Sequence, residues 1–202
     1  MILLVSGTTA SSRRYRDVGE LIVPSAGSAP DALRLEPGRW AMDNGAYAGF
    51  DAAAFVRMLE RFYGRRGCRF VAAPDVVADA HQTLTQWPFW SRLIRGLGFV
   101  PALVGQDGMT VADLPWSELG ALFIGGSTEW KLGPQAEGLM AYANSRGLWV
   151  HMGRVNSRRR IWAAARKGCH SFDGSSYSRW GNRWIPDGLA DAQIAATQGR
   201  LL

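Results

Sequence analysis

Two aspartates stand where short apolar runs end, Asp43 after Trp40-Ala41-Met42 and Asp173 after Ser171-Phe172. Such a pair can split a substitution at a glycosidic carbon into two steps. One carboxylate attacks the carbon and holds it covalently while the other carries the proton of the departing group. More polar groups follow other apolar runs: Asp75, Gln106-Asp107-Gly108, Gly125-Gly126-Ser127, His151-Met152-Gly153-Arg154 and Asp173-Gly174-Ser175-Ser176. The Gly125-Gly126 pair offers backbone N–H groups and room for a ligand to approach closely. The same residue types also turn chains and cap helices, so the functional reading rests on their clustering and not on any single turn.

The elements that must position these residues are short. Apolar, β-type runs occur at Ile2–Val5, Leu21–Val23, Arg39–Asp43, Arg69–Ala73, Phe99–Val104, Ala121–Ile124, Leu148–His151 and Cys169–Asp173. Without clean alternation, they fit strands buried on both faces of a parallel sheet. Helical patterns fill most gaps. One runs from Asp51, a plausible N-cap, to about Arg66, with Phe55, Leu59 and Phe62 at helical spacing. Others run from Asp79 to Gly96 with a kink expected at Pro88, from Pro134 to Arg146, from Ser157 as N-cap to Lys167, and from Asp187 to Gln198. The stretch Pro24–Gly38 reads as loop. Alternating strands and helices without a break predict an α/β protein, a compact single-domain (β/α)₈ barrel over residues 1–202 with short or missing helices in its first units. In such a barrel the polar turns share one rim, the C-terminal face where active sites are built.

Composition bounds the function classes. The chain has 202 residues, 47% of them hydrophobic and 20% charged, enough for one substantial core. No segment reaches the length of uncharged apolar residues that a membrane span needs, and Met1 leads into Ile-Leu-Leu-Val with no basic n-region. A cytoplasmic location is therefore expected. Cys68 and Cys169 lie far apart and outside any C-x-x-C pattern, which suggests neither a disulfide framework nor a thiolate zinc site. A formal charge of +6 favours an anionic partner such as nucleic acid. Nearly all the positive charge is arginine, a bias that genome base composition also produces; Lys131 and Lys167 are the only lysines.

In order along the chain, these segments resemble the tRNA-guanine transglycosylases, and more closely the DpdA-type DNA deazaguanine transglycosylases of phages and genomic islands. Met42-Asp43-Asn44-Gly45-Ala46-Tyr47 is similar to the family's Asp-Ser-Gly-Gly-aromatic motif, and Ala73-Pro74-Asp75 to its base-recognising Asp segment. Leu103-Val104-Gly105-Gln106-Asp107-Gly108 resembles the Val-Gln-Gly-Gly stretch displaced by one residue, and Phe123-Ile124-Gly125-Gly126-Ser127 the Gly-Gly-Leu-Ala segment. His151-Met152-Gly153-Arg154-Val155-Asn156-Ser157, a helix with Ala164 and Ala165, Gly168 and Ser171-Phe172-Asp173 match the Met-Gly, helix, Gly, Phe-Asp progression. The Gly-Arg-Val-Asn-Ser and Asp-Gly-Ser-Ser wording resembles the DNA-modifying branch.

The resemblance implies an enzyme that replaces guanine in DNA by a 7-deazaguanine base such as 7-cyano-7-deazaguanine. Asp173 would be the nucleophile at C1′ and Asp43 the proton carrier at N9, with Asn44 beside it. Asp75 would accept from the donor edge of the base, Gln106 and the Gly126 N–H would address O6, and Tyr47 and Met152 would sandwich the ring, with Gly125 and Gly153 lining the site. No metal or cofactor is implied. The tRNA-modifying members carry a cysteine-and-histidine zinc subdomain, and no cysteine follows Cys169 here, so zinc is not expected and tRNA is the less favoured polymer. A homodimer or partner subunit is expected to complete the nucleic-acid footprint. Two alternatives remain at this stage: a tRNA-guanine transglycosylase, and a non-catalytic nucleic-acid- or base-binding barrel within a DNA modification complex. His151, Arg154 and the Arg158–Arg160 run sit near the expected rim without an assigned role.

Overall fold

The computed structural model describes residues 1–6, 15–24, 35–179 and 181–198. Eight strands, β1 (Ile2–Val5), β2 (Val18–Ile22), β3 (Trp40–Met42), β4 (Cys68–Ala72), β5 (Pro101–Gly105), β6 (Ala121–Ile124), β7 (Trp149–Met152) and β8 (Ser171–Asp173), follow one another around a closed barrel. Every ladder is parallel, and β8 returns to β1 through Leu4 opposite Asp173. The expected (β/α)₈ architecture is the one observed.

Period-two alternation divides the core in two. Leu4, Leu21, Ala41, Phe70, Ala72, Ala102, Val104, Ala121 and Phe123 fill the barrel interior. Their neighbours, among them Leu3, Ile22, Trp40, Met42, Val71, Leu103, Leu122 and Val150, face outward and pack with helix residues. β2 begins three residues before the apolar run that marks it, because Gly19 and Glu20 hide a strand behind residues of poor β propensity. Gly19 is required there: a Cβ would lie 2.1 Å from the carbonyl oxygen of Arg39, the residue before β3.

Among the described residues the α-helices are α1 (Ala52–Arg61), α2 (Ala80–Gly96), α3 (Thr128–Leu132), α4 (Pro134–Ser145), α5 (Arg158–Arg166), α6 (Ser175–Arg179) and α7 (Gly181–Gln198). Asp51 and Asp79 cap α1 and α2 by accepting from Ala54 N and Gln82 N, both at 2.9 Å. α2 runs on through Pro88. Ser157 holds the N-cap position of α5, but its hydroxyl makes no capping bond. α7 starts six residues earlier than expected and runs on through Pro186. The one-turn helices α3 and α6 are too short to carry a 3.6-residue period, so sequence patterning does not reveal them. α7 packs on α5, where Arg158 pairs with Asp191 at 2.9 Å. Residues 25–34 of the Pro24–Gly38 stretch expected to be loop lie outside the described residues. Among the described residues no helix is long and apolar enough to cross a membrane.

Candidate functional site

Asp43 follows β3 with the same parity as the inward-facing Ala41, and Asp173 ends β8 with the parity of Ser171. Both carboxylates therefore emerge at the C-terminal mouth of the barrel. They line one cleft of about 820 Å³, floored by Leu4 and Leu21 and walled by Asn44, Gly45, Tyr47, Arg154 and the Gly174-Ser175 turn, with Arg57 and Arg61 of α1 further out.

The two aspartates are held differently. Asn44 N donates to Asp43 Oδ1 at 2.7 Å, yet burial, and next the negative charges of Asp173 and Asp75, push the Asp43 carboxyl up to about 7. Near neutral pH it keeps or yields a proton readily. Asp173 Oδ1 accepts from Arg154 N at 2.9 Å, and Oδ2 lies 3.1 Å from His151 Nε2. The turns after β7 and β8 are stitched together here: Val155 N donates to Asp173 O at 2.6 Å and Ser176 N to Asn156 Oδ1 at 3.1 Å.

A second polar cluster adjoins the pair. Asn44 Nδ2 donates to Asp75 Oδ1 and to Ala73 O, both at 2.7 Å. Gln106 Nε2 donates to Asp75 Oδ2 at 2.6 Å, while Gln106 Oε1 accepts from Ala78 N at 2.9 Å and Gly126 N at 3.1 Å. Burial raises the Asp75 carboxyl to about 6 against the opposing bond from Asn44 and the charge of Arg154. Each Asp75 oxygen keeps a second lone pair, and the Gln106 amide keeps one N–H.

Three expectations need correcting. The Gly126 N–H assigned to a base oxygen is committed to Gln106, and the Gly125 N–H to the Gly105 carbonyl in the strand ladder, so these glycines serve packing. At Gly126, with φ +61°, a Cβ would lie 2.6 Å from the Trp130 ring and 2.7 Å from Asp107 Oδ2; at Gly125 it would lie 2.7 Å from Val104. Met152 cannot sandwich a ring opposite Tyr47. It alternates with the inward-facing His151 and is fully buried between barrel and helices. Tyr47, 71% exposed at the mouth, instead meets the Arg154 guanidinium, 4.4 Å from its ring centroid. Gly153 lies beneath the site; its carbonyl accepts from Lys131 Nζ at 2.7 Å, and a Cβ on it would meet Phe123 at 2.7 Å.

Sequence reasoning passed over Lys131 as a site residue and left His151 and Arg154 at the rim without a role. Burial, followed by the charge of Arg154, lowers the Lys131 ammonium to about 7. Arg154 adopts φ +58°, a left-handed conformation that aims its N–H at Asp173. Its guanidinium bonds the Gly126 carbonyl, and its own carbonyl accepts from Arg160 Nη1 at 3.0 Å. Two members of the Arg158–Arg160 run thus have intramolecular partners, Asp191 and Arg154. A lysine in an arginine-dominated chain was the available signal for Lys131, whereas strand parity left His151 and Met152 equally placed to face the interior.

No protein-family model matches the chain, and no curated protein matches it. Among solved structures, the chain is similar to the Amycolatopsis orientalis BexX/CysO complex, with a TM-score of 0.59 and 16% identity over 99% of this chain and 89% of that one. It is also similar to a cube-shaped, highly porous protein cage designed by fusing symmetric oligomeric domains, with a TM-score of 0.51 and 13% identity over 98% of this chain and 72% of that one. At such identities the likeness establishes the barrel fold alone.

Proposed function

We propose that the protein is a base-exchanging transglycosylase that replaces guanine in DNA by a 7-deazaguanine base. The observation that carries this reading is the pairing of Asp43 and Asp173 at one cleft, with Asp43 raised to about 7 partly by the charge of Asp173. Groups whose environments separate their proton affinities divide naturally into an acid and a nucleophile. A carboxylate of Asp173 attacks C1′ as the C1′–N9 bond breaks; the bonding pair leaves with guanine, and Asp43 supplies the proton. The incoming base gives its proton to Asp43, its nitrogen lone pair attacks C1′, and the C1′–O bond returns its pair to Asp173. Atoms and charge balance with no co-reactant beyond the incoming base, and the phosphodiester chain is never cut.

The neighbouring cluster suits the base. The free lone pairs of Asp75 match the N1–H and exocyclic amine of a guanine-like edge, and buried Gln106 holds Asp75 in place from behind. The phenol ring of Tyr47 and the guanidinium of Arg154 offer stacking surfaces at the mouth. The target nucleotide must be flipped out or presented single-stranded, because C1′ is unreachable within a stack. DNA is preferred to tRNA on the Gly153–Ser157 and Asp173–Ser176 segments that resemble the DNA-modifying branch and meet around Asp173.

The test is incorporation of radiolabelled guanine or 7-cyano-7-deazaguanine into duplex DNA, single-stranded DNA and bulk tRNA. Label is expected in DNA with the wild-type protein, with a loss of roughly 10³-fold or more for folded Asp173→Ala and Asp43→Ala. Wild-type rates in both variants would remove the mechanism, and incorporation into tRNA alone would reassign the polymer.

A further inference from the structure

Behind the nucleophile runs a buried hydrogen-bonded chain that the exchange reaction as described does not use. Trp149, His151, Ser171 and Asp173 share the inward face of β7 and β8, where His151 stands opposite Ser171 in the ladder. Trp149 Nε1 lies 2.9 Å from Ser171 Oγ, Ser171 Oγ 2.9 Å from His151 Nδ1, and His151 Nε2 3.1 Å from Asp173 Oδ2. A carboxylate only accepts, so a ring hydrogen of His151 resides on Nε2, facing Asp173. An indole N–H only donates, so Ser171 Oγ accepts from Trp149, which leaves its single hydrogen available to His151 Nδ1. The imidazole is fully buried, with the Phe70 and Phe123 rings at centroid distances of 5.1 and 4.6 Å. Ser171, also fully buried with its hydroxyl spent on Trp149 and His151, lies behind the histidine and not at the cleft. The set is therefore not an acyl-transfer triad despite its Ser-His-Asp composition.

We propose that His151 is the positioning residue of Asp173, an Nε2–H donor that, with the Arg154 N–H, clamps both carboxylate oxygens and stabilises the charge Asp173 regains when the covalent intermediate resolves. This rests on the exchange reaction proposed above. While Asp173 is esterified to C1′, the bond from His151 meets a weaker acceptor; as the C1′–O bond breaks and the pair returns to the carboxylate, that bond strengthens. Removing the donor makes Asp173 a poorer leaving group, so the second half-reaction slows more than the first and the protein–DNA ester accumulates.

His151→Phe, His151→Gln and Ser171→Ala are compared with wild type by steady-state exchange and by the amount of protein–DNA adduct on denaturing gels. For His151→Phe, kcat is expected to fall about 100-fold with KM for the base within about twofold, and the adduct fraction to rise. His151→Gln, which returns an N–H near the Nε2 position, is expected to recover at least about tenfold of that loss; Ser171→Ala, which frees the tautomer, falls between. Wild-type turnover in His151→Phe, or a fall without adduct and without rescue by glutamine, overturns the assignment. Should the wild-type protein exchange no base into any polymer, the exchange reading fails separately. The clamp is then read directly from imidazole ¹⁵N shifts of the wild-type protein: an Nε2–H ring whose shift moves in Asp173→Asn upholds it, and an Nδ1–H ring refutes it.

Discussion

Asp43 and Asp75 give the site a narrow working range. Asp43 acts as an acid only while protonated, and burial with the negative charge of Asp173 holds that proton up to about 7. Asp75 accepts from a base edge only when ionised, which begins near 6. Base affinity is therefore expected to fall below about pH 6 and the guanine-expelling step above about pH 7, a narrow bell to be read from kcat/KM against pH. Asp43 also costs stability. Its carboxyl is raised from 3.8 in the folded state, so the folded protein binds the extra proton: the stabilising contribution of the protonated form is complete below about pH 4 and lost as pH rises through about 7. Asp43→Asn, inactive in exchange, is expected to exceed wild type in stability by on the order of a few kcal/mol at pH 8, with the difference vanishing near pH 4. Thermal melts at the two pH values check this; equal melting temperatures at pH 8 would mean that Asp43 is not under strain.

Between strand and helix, the turns that follow β5, β6 and β7 form one packed unit. Ser127 N donates to Asp107 Oδ2 at 2.6 Å, Lys131 reaches from α3 to the Gly153 carbonyl, and the Arg154 guanidinium bonds the Gly126 carbonyl. Gly126 is the tight point, since a side chain there would need a left-handed φ and would collide with Trp130 and Asp107. Gly126→Ala is expected to destabilise the fold by about 1 to 3 kcal/mol in urea titration and to weaken exchange through displacement of Arg154. A variant as stable as wild type would show that this unit yields freely.

The whole barrel carries a formal charge of +6, with Arg57, Arg61 and Arg154 among the residues lining the cleft. A protein that holds phosphates releases counterions from DNA, so affinity for single-stranded DNA is expected to weaken at least about tenfold between about 50 and about 200 mM salt. Fluorescence anisotropy measures this, and an affinity indifferent to salt would exclude phosphate contacts as the source of binding.

Much of the architecture was legible in the sequence because it is local. Short apolar runs alternating with amphipathic patterns and capped by Asp51 or Asp79 force strand–helix units, and repetition of that unit closes a barrel. The same locality placed Asp43 and Asp173 at the ends of strands that open on one rim. Contacts between residues far apart in the chain were not legible. Asn44 and Gln106 grip Asp75 across 31 residues each, and the Gly126 N–H offered to a ligand turns inward to Gln106. Strand parity allows either His151 or Met152 to face the interior, never both; closure of β7 against β8 gave that place to His151 and sent Met152 into the outer core. Sequence determined which carboxylates reach the mouth, because strand ends are set by local pattern. Only the tertiary structure decided which groups hold them and at what proton affinity, because both depend on neighbours that the folded chain brings together and on the water it excludes.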